Sequence, residues 1–106
     1  MIRLTIRKVN PEHIELFREW MTQLNGPRRE EALATLEDEG CSHELAVLVE
    51  GPEGHLVIYA MEVESVEKSR EAADNSTHPI DKEHRAVMDK AIGGRPSLEK
   101  LLDLRR

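Results

Sequence analysis

The residues best suited to chemistry lie together in His78-Pro79-Ile80-Asp81-Lys82-Glu83-His84-Arg85. His78, Asp81 and His84 follow one another at steps of three. A helix running on from Asp81 sets His84 and Arg85 beside its carboxylate, because residues three and four apart are helical neighbours. Such a group suits proton transfer, with His84 as acid or base, Asp81 orienting its ring, and Arg85 anchoring an anionic or enolate oxygen. The competing reading is structural: Asp81 caps the helix, His84 and Arg85 bond locally, and Glu83, Asp89 and Lys90 form a solvated face. Two imidazoles and a carboxylate are also metal-ligand types. None of the tight helical metal-binding spacings is present, however, so no metal is expected. Cys41, the single cysteine, excludes an intrachain disulfide and a cysteine-built zinc site, and it fits a reducing cytoplasm. Gly93-Gly94 and Gly51-Pro52-Glu53-Gly54 lack the spacing of a phosphate loop, and no cofactor is expected.

The elements that must position these side chains are legible in order. Ile2, Leu4 and Ile6 alternate with Arg3, Thr5 and Arg7, the pattern of a strand with one strongly buried face. Asn10-Pro11 opens a helix, Asn as cap and Pro at the first helical position. Ile14, Phe17, Met21 and Leu24 carry that helix at steps of three and four, widened by Leu16 and Trp20, to an end near Asn25-Gly26. Pro27 opens a second helical segment closed by Gly40. Leu45–Val49 and Leu56–Met61 flank Gly51-Pro52-Glu53-Gly54 as a hairpin. Ser65 caps a short helix through Ala73, and either Thr77 or Asp81 caps another through about Ile92. In the tail, local propensity favours a helix from Ser97, whereas a β-α-β-β-α-β order requires Lys100–Arg105 as a fourth strand; topology favours the strand.

Size and charge limit the partners. A chain of 106 residues is expected to form one domain, and oligomerisation would add burial to a core this small. With 21 acidic against 15 basic residues, a net charge of −6 and few aromatics, nucleic acid and anionic membrane are excluded as partners. The longest apolar run, Leu56–Met61, is too short for a membrane span or a signal core. The hairpin strands are apolar at nearly every position, so both sheet faces need cover. Helices cover one face in a chain this short. The other predicts a homodimer, sheet on sheet. Tyr59 shares its strand face with Val57 and Met61, and a pocket between sheet and helices would be lined by Tyr59, Trp20 and the His84 region.

The element order, the helix break at Asn25-Gly26-Pro27, the Asp38-Glu39-Gly40 closure and above all the His78 to Arg85 stretch resemble a family of small bacterial proteins classed as a domain of unknown function. That family is similar to the dimeric α/β-barrel superfamily of ferredoxin-like folds, which includes antibiotic-biosynthesis-type monooxygenases and L-rhamnose mutarotases. The resemblance implies an α+β, ferredoxin-like fold with an antiparallel sheet, helices on one face, and two copies forming a barrel. Leu56 to Ser65 is similar to a mutarotase strand, but the histidine those enzymes place at the helix break has no counterpart at Leu24-Asn25-Gly26.

Three functions follow as expectations. The first is a cytoplasmic homodimer binding a small polar or anionic ligand through Trp20, Tyr59, His78 and Arg85, with His84 in the same pocket. The second is a cofactor-free isomerase or monooxygenase-like enzyme with His84 and Asp81 as its catalytic pair. The third is an interaction module without catalysis, whose second sheet face receives a partner protein.

Overall fold

A computed structural model describes residues 1–106. The protein is α+β, with a three-stranded antiparallel sheet and four helices. Strand β1 (Ile2–Val9) leads through a single 3-10 turn at Pro11–His13 into α1 (Ile14–Asn25) and then α2 (Arg29–Asp38). Strands β2 (Cys41–Gly51) and β3 (Gly54–Val63) form the hairpin, followed by α3 (Val66–Asp74) and α4 (Pro79–Ala91). The spatial order β1-β3-β2 puts the last strand in the middle. The hairpin strands extend beyond their apolar runs, because β3 stays paired from Gly54, opposite Gly51, to Val63, opposite Cys41. No helix is long and apolar enough to cross a membrane.

Local chemistry explains most boundaries. Ser65 caps α3 by accepting a hydrogen bond from the Lys68 amide at 3.3 Å. Gly40, at φ +62°, takes the left-handed turn that ends the α2 crossover, where a side chain would be strained. Three expectations about ends need correction. Asn10 does not cap; its side-chain amide donates to the Lys90 carbonyl at 2.8 Å and ties the α1 entrance to the α4 exit. Neither Thr77 nor Asp81 caps α4. His78 holds that position with no side-chain capping bond, and Pro79 supplies the first helical residue.

The third correction concerns the tail, where Lys100–Arg105 forms no strand and Ser97 starts no helix. The chain instead turns back at once after α4. Ile92 bridges Val9, Gly93 donates to the Lys8 carbonyl, and Lys8 donates to the Gly94 carbonyl. Pairing stops there because Pro96, without an N–H, follows immediately and the chain leaves the sheet. Leu101, Leu102 and Leu104 are then exposed, which is why the apolar pattern builds no element.

The main core joins Val9, Val57 and Tyr59 of the sheet to Phe17 of α1 and Ala91 of α4. A smaller cluster puts Cys41, Met61 and Val63 against Leu36 and Val66. All four helices therefore pack on the sheet face that carries Val57, Tyr59, Met61 and Val63. On β1 that face carries Arg3, Thr5 and Arg7. The strand's apolar side is turned the other way, with Ile2 72% and Leu4 44% exposed. Leu45, Val47 and Val49 of β2 lie on the same outer face and are also exposed. Leu56, Ile58 and Ala60 of β3 run between them, giving an uninterrupted apolar surface across three strands. In the single chain, the face of β1 expected to be strongly buried is thus the open one. Alternation fixes which residues share a face; it does not say which face the helices take.

Candidate functional site

The reversed polarity of β1 builds a chamber. Arg3, Thr5 and Arg7 enter the space beneath the helices, where a cavity of about 330 Å³ lies between sheet and helices. Its floor includes Tyr59 and Met61 of β3 and Glu44 of β2. Its roof comes from Leu24, Ala32 and Thr35 above and from Ile80, Asp81, His84 and Met88 of α4. Glu39, on the closure between α2 and β2, completes the wall. Register sets the order along the floor: Arg3 lies opposite Met61 and in line with Glu44, Thr5 opposite Tyr59, and Arg7 opposite Val57.

Of the residues singled out by spacing, His84, Asp81, Arg85 and Tyr59 all line this cavity. Arg85 is exposed at its rim and donates through Nε to the Asp81 carbonyl at 3.3 Å. The Asp81 carboxylate accepts from the Ser76 hydroxyl, so it is anchored to the turn before α4. Tyr59 is 9% exposed, and its hydroxyl finds only the Met88 sulfur, at 3.8 Å. Trp20 is buried but is not part of the cavity wall; its indole N–H donates to His84 Nδ1 at 2.9 Å. His78 lies outside the cavity altogether. Its Nε2 pairs with Asp38 at 2.6 Å and ties the α4 entrance to the end of α2.

The Trp20 bond decides the state of His84. An indole N–H can only donate, so Nδ1 must be unprotonated and the ring is neutral with its proton on Nε2. Burial pushes the His84 pKa down, Asp81 opposes that, and Arg85 adds to it. Trp20 is held in turn by the Arg28 guanidinium, 5.6 Å from the ring centroid, and Arg28 pairs with Glu31 and Glu83.

The sequence pattern does not single out Arg3, Arg7, Glu39 and Glu44, yet they set the electrostatics. Arg3 donates to the Ser69 hydroxyl through Nη1 at 3.2 Å, but its Nε is buried without an acceptor. Arg7 Nε is buried without an acceptor as well. Burial pushes Glu39 up to about 7, with Glu44 and Asp81 adding to the shift and Arg3 opposing it. Glu44 keeps part of its surface in solvent, yet the surrounding protein raises its pKa too, again opposed by Arg3 and aided by Asp81. Tyr59 is raised, first by burial and then by Glu44, with Arg7 opposing. The signal available in sequence was the contrast between β1, polar at alternate positions, and a hairpin apolar on both sides. With the helices on the face that carries Arg3, Thr5 and Arg7, these polar residues become interior ones.

Chemically, the cavity joins a neutral imidazole, unpaired guanidinium donors and carboxylates of raised pKa. No group of three or more His, Cys, Asp or Glu side chains is arranged to hold a metal ion. Over residues 1–106 the chain matches, and belongs to, a family described as a family of unknown function (DUF6176). No curated protein matches the chain, so nothing found among them supports the likeness to mutarotases or monooxygenases.

Proposed function

We propose that the protein is a cytoplasmic homodimer of ferredoxin-like, dimeric α/β-barrel architecture, each subunit binding a small polar or anionic molecule between its sheet and helices. The observation carrying the ligand reading is that Arg3 and Arg7 line the cavity while neither guanidinium forms an ion pair, each with its Nε buried and without an acceptor. A guanidinium without a carboxylate partner is suited to a charge-assisted pair with a ligand's oxygens. The cavity volume suits a small molecule. Thermal shift across a library of small carboxylates, phosphates and polar neutral molecules tests this. A binder present at a hundredfold its Kd stabilises by about 2.7 kcal/mol, and Arg7→Met removes the response. Silence from the whole library refutes the reading.

The fold reading draws support from the antiparallel order β1-β3-β2 and from Ile92, which bridges Val9 where a fourth strand would begin. The dimer reading rests on the outer apolar face, since a flat face of Leu, Ile and Val packs well on a copy of itself. Light scattering at micromolar concentration gives the dimer mass; a monomer mass refutes it.

A second reading is favoured by one observation, the Trp20 to His84 bond. A neutral histidine held in one tautomer at a cavity wall is suited to acid or base work in a cofactor-free isomerase or monooxygenase. If so, His84→Gln retains ligand binding and loses turnover of the ligand identified by the screen; unchanged turnover removes this reading.

A further inference from the structure

The cavity is polar in an ordered way, and the order specifies more than a general affinity for anions. Arg3 and Arg7 are four positions apart on one strand, so their backbones are separated by about 13 Å. Around the Arg3 end stand Glu44, in line across the sheet, together with Glu39 and Asp81. None of these carboxylates forms an ion pair with Arg3, so the space between them is not closed by a direct contact. Asp74 lines the cavity as a fourth carboxylate, against Arg3 and, at the rim, Arg85, so acidic groups remain in excess away from Arg7. Burial is the first cause of the raised pKa values of Glu39 and Glu44, and the neighbouring carboxylates add to it.

The Arg7 end is different. Its floor neighbours are Val57 and Leu48, and the polar group on the adjoining row is Tyr59, whose hydroxyl has only a thioether partner. Arg7 is therefore the charge that a ligand meets there, with an unpaired Nε donor and apolar surroundings that strengthen a bond to an anion. The two ends of one cavity thus present opposite fields.

We infer that the natural ligand is a small amino-carboxylate, its ammonium at the Glu39, Glu44 and Asp81 end and its carboxylate on Arg7 beside Tyr59. This rests on the small-ligand reading and narrows it. The carboxylate forms a charge-assisted pair with the Arg7 guanidinium, which has no carboxylate partner in the chain. The ammonium, with donors only, suits Glu39 and Glu44, neither of which forms an ion pair within the chain. A dicarboxylate would add charge to the crowded acidic end, and a diamine would set an ammonium against Arg7. Either mismatch costs affinity through like-charge juxtaposition.

A matched series separates the possibilities on the full-length protein: δ-aminovalerate, glutarate, cadaverine and δ-hydroxyvalerate, titrated one by one against amide resonances. The expected result is saturable shifts at β1, β3 and α4 with δ-aminovalerate at an affinity at least about tenfold above the other three. Glu44→Gln, which keeps the side-chain volume, should weaken δ-aminovalerate by about tenfold and narrow its margin over glutarate. Arg7→Met should do the same while narrowing its margin over cadaverine, with Arg7→Lys restoring part of the affinity. Equal or tighter binding of glutarate or δ-hydroxyvalerate overturns the amino-carboxylate assignment and leaves the ligand cavity standing. No binding by any of the four, alongside hits from the broader acid library, overturns it too. Silence from both overturns the cavity reading itself.

Discussion

Replacing Trp20 by Phe tests the chain of reasoning at its most exposed link, the neutral His84. The substitution removes the only donor to Nδ1 and leaves a half-buried ring nitrogen without its partner. An unpaired buried acceptor costs about 1–3 kcal/mol. The weaker hold of a phenyl ring on Arg28 adds about 0.5 kcal/mol. Together these give a loss of roughly 1.5–3.5 kcal/mol, which lowers the Tm of a domain this size by about 6–28 °C. A double variant, Trp20→Phe with His84→Leu, removes both partners and should recover part of the loss, since an apolar pair leaves nothing unsatisfied.

The same bond makes a prediction in pH. His84 has its folded pKa depressed below 6.5, chiefly by burial. Below pH 6.5 the unfolded chain takes up a proton that the folded protein resists, so stability falls as pH drops through that value and is flat above it. With Trp20→Phe the lock on the neutral tautomer is gone and the folded pKa moves back up. The two proteins should then converge in stability as pH falls. Long-range nitrogen-proton NMR of the histidine side chains reads the tautomer directly. A wild-type His84 carrying its proton on Nδ1, or charged at pH 7, refutes the reasoning, as does a double variant no more stable than Trp20→Phe alone.

Other outcomes follow from single features. Glu39, pushed up to about 7, keeps its proton in the folded state between about 4.5 and 7 while the unfolded chain loses it, so stability falls as pH rises through that window. Glu39→Gln should flatten that slope in urea titrations run at several pH values. On the homodimer reading, Ile58→Lys, at the middle of the outer face, should yield a folded monomer by light scattering and circular dichroism, at a concentration where the native chain gives a dimer mass. Gly40→Ala meets no atom closer than 3.5 Å, so its cost is the left-handed backbone alone, about 1–2 kcal/mol by chemical denaturation. Ile80→Ala, at 3% exposure, should cost about 2–5 kcal/mol, whereas Leu101→Ala, at 85%, should leave the subunit's stability within about 0.5 kcal/mol.

How far the sequence disclosed this site depends on what kind of relation joins its residues. Asp81, His84 and Arg85 are close along one helix, so their spacing places them together before any tertiary structure is known. Tyr59 follows from strand alternation, and the hairpin from its Gly-Pro-Glu-Gly turn. The bond from Trp20 to His84 spans 64 residues and is a product of how α1 packs on α4. No local pattern encodes it. The spacing that selects His84 also selects His78, but His78 precedes the helix, and its position as N-cap turns it toward Asp38. The tail failed for a related reason: strand and helix propensities competed over Ser97 to Arg105, and without a surface to pack against neither is realised.

Alternation alone leaves the polarity of β1 open, and Arg7 lets its meaning be measured. If Arg7 serves the fold, its removal must destabilise the protein, because a long side chain reaching beneath the helices also contributes packing through its methylenes. If Arg7 serves a ligand, the empty protein carries it at a cost, a buried Nε donor with no acceptor. Arg7→Met keeps most of the volume and deletes that donor. The ligand reading therefore expects the empty variant to be more stable than the native chain by about 1–2 kcal/mol, with ligand-induced stabilisation lost. This is the trade expected where a functional group is held against the preference of the fold. Denaturant titration without ligand reads the sign. A clear loss of stability in Arg7→Met assigns the arginine to the structure and removes the main support for a ligand at that end of the cavity.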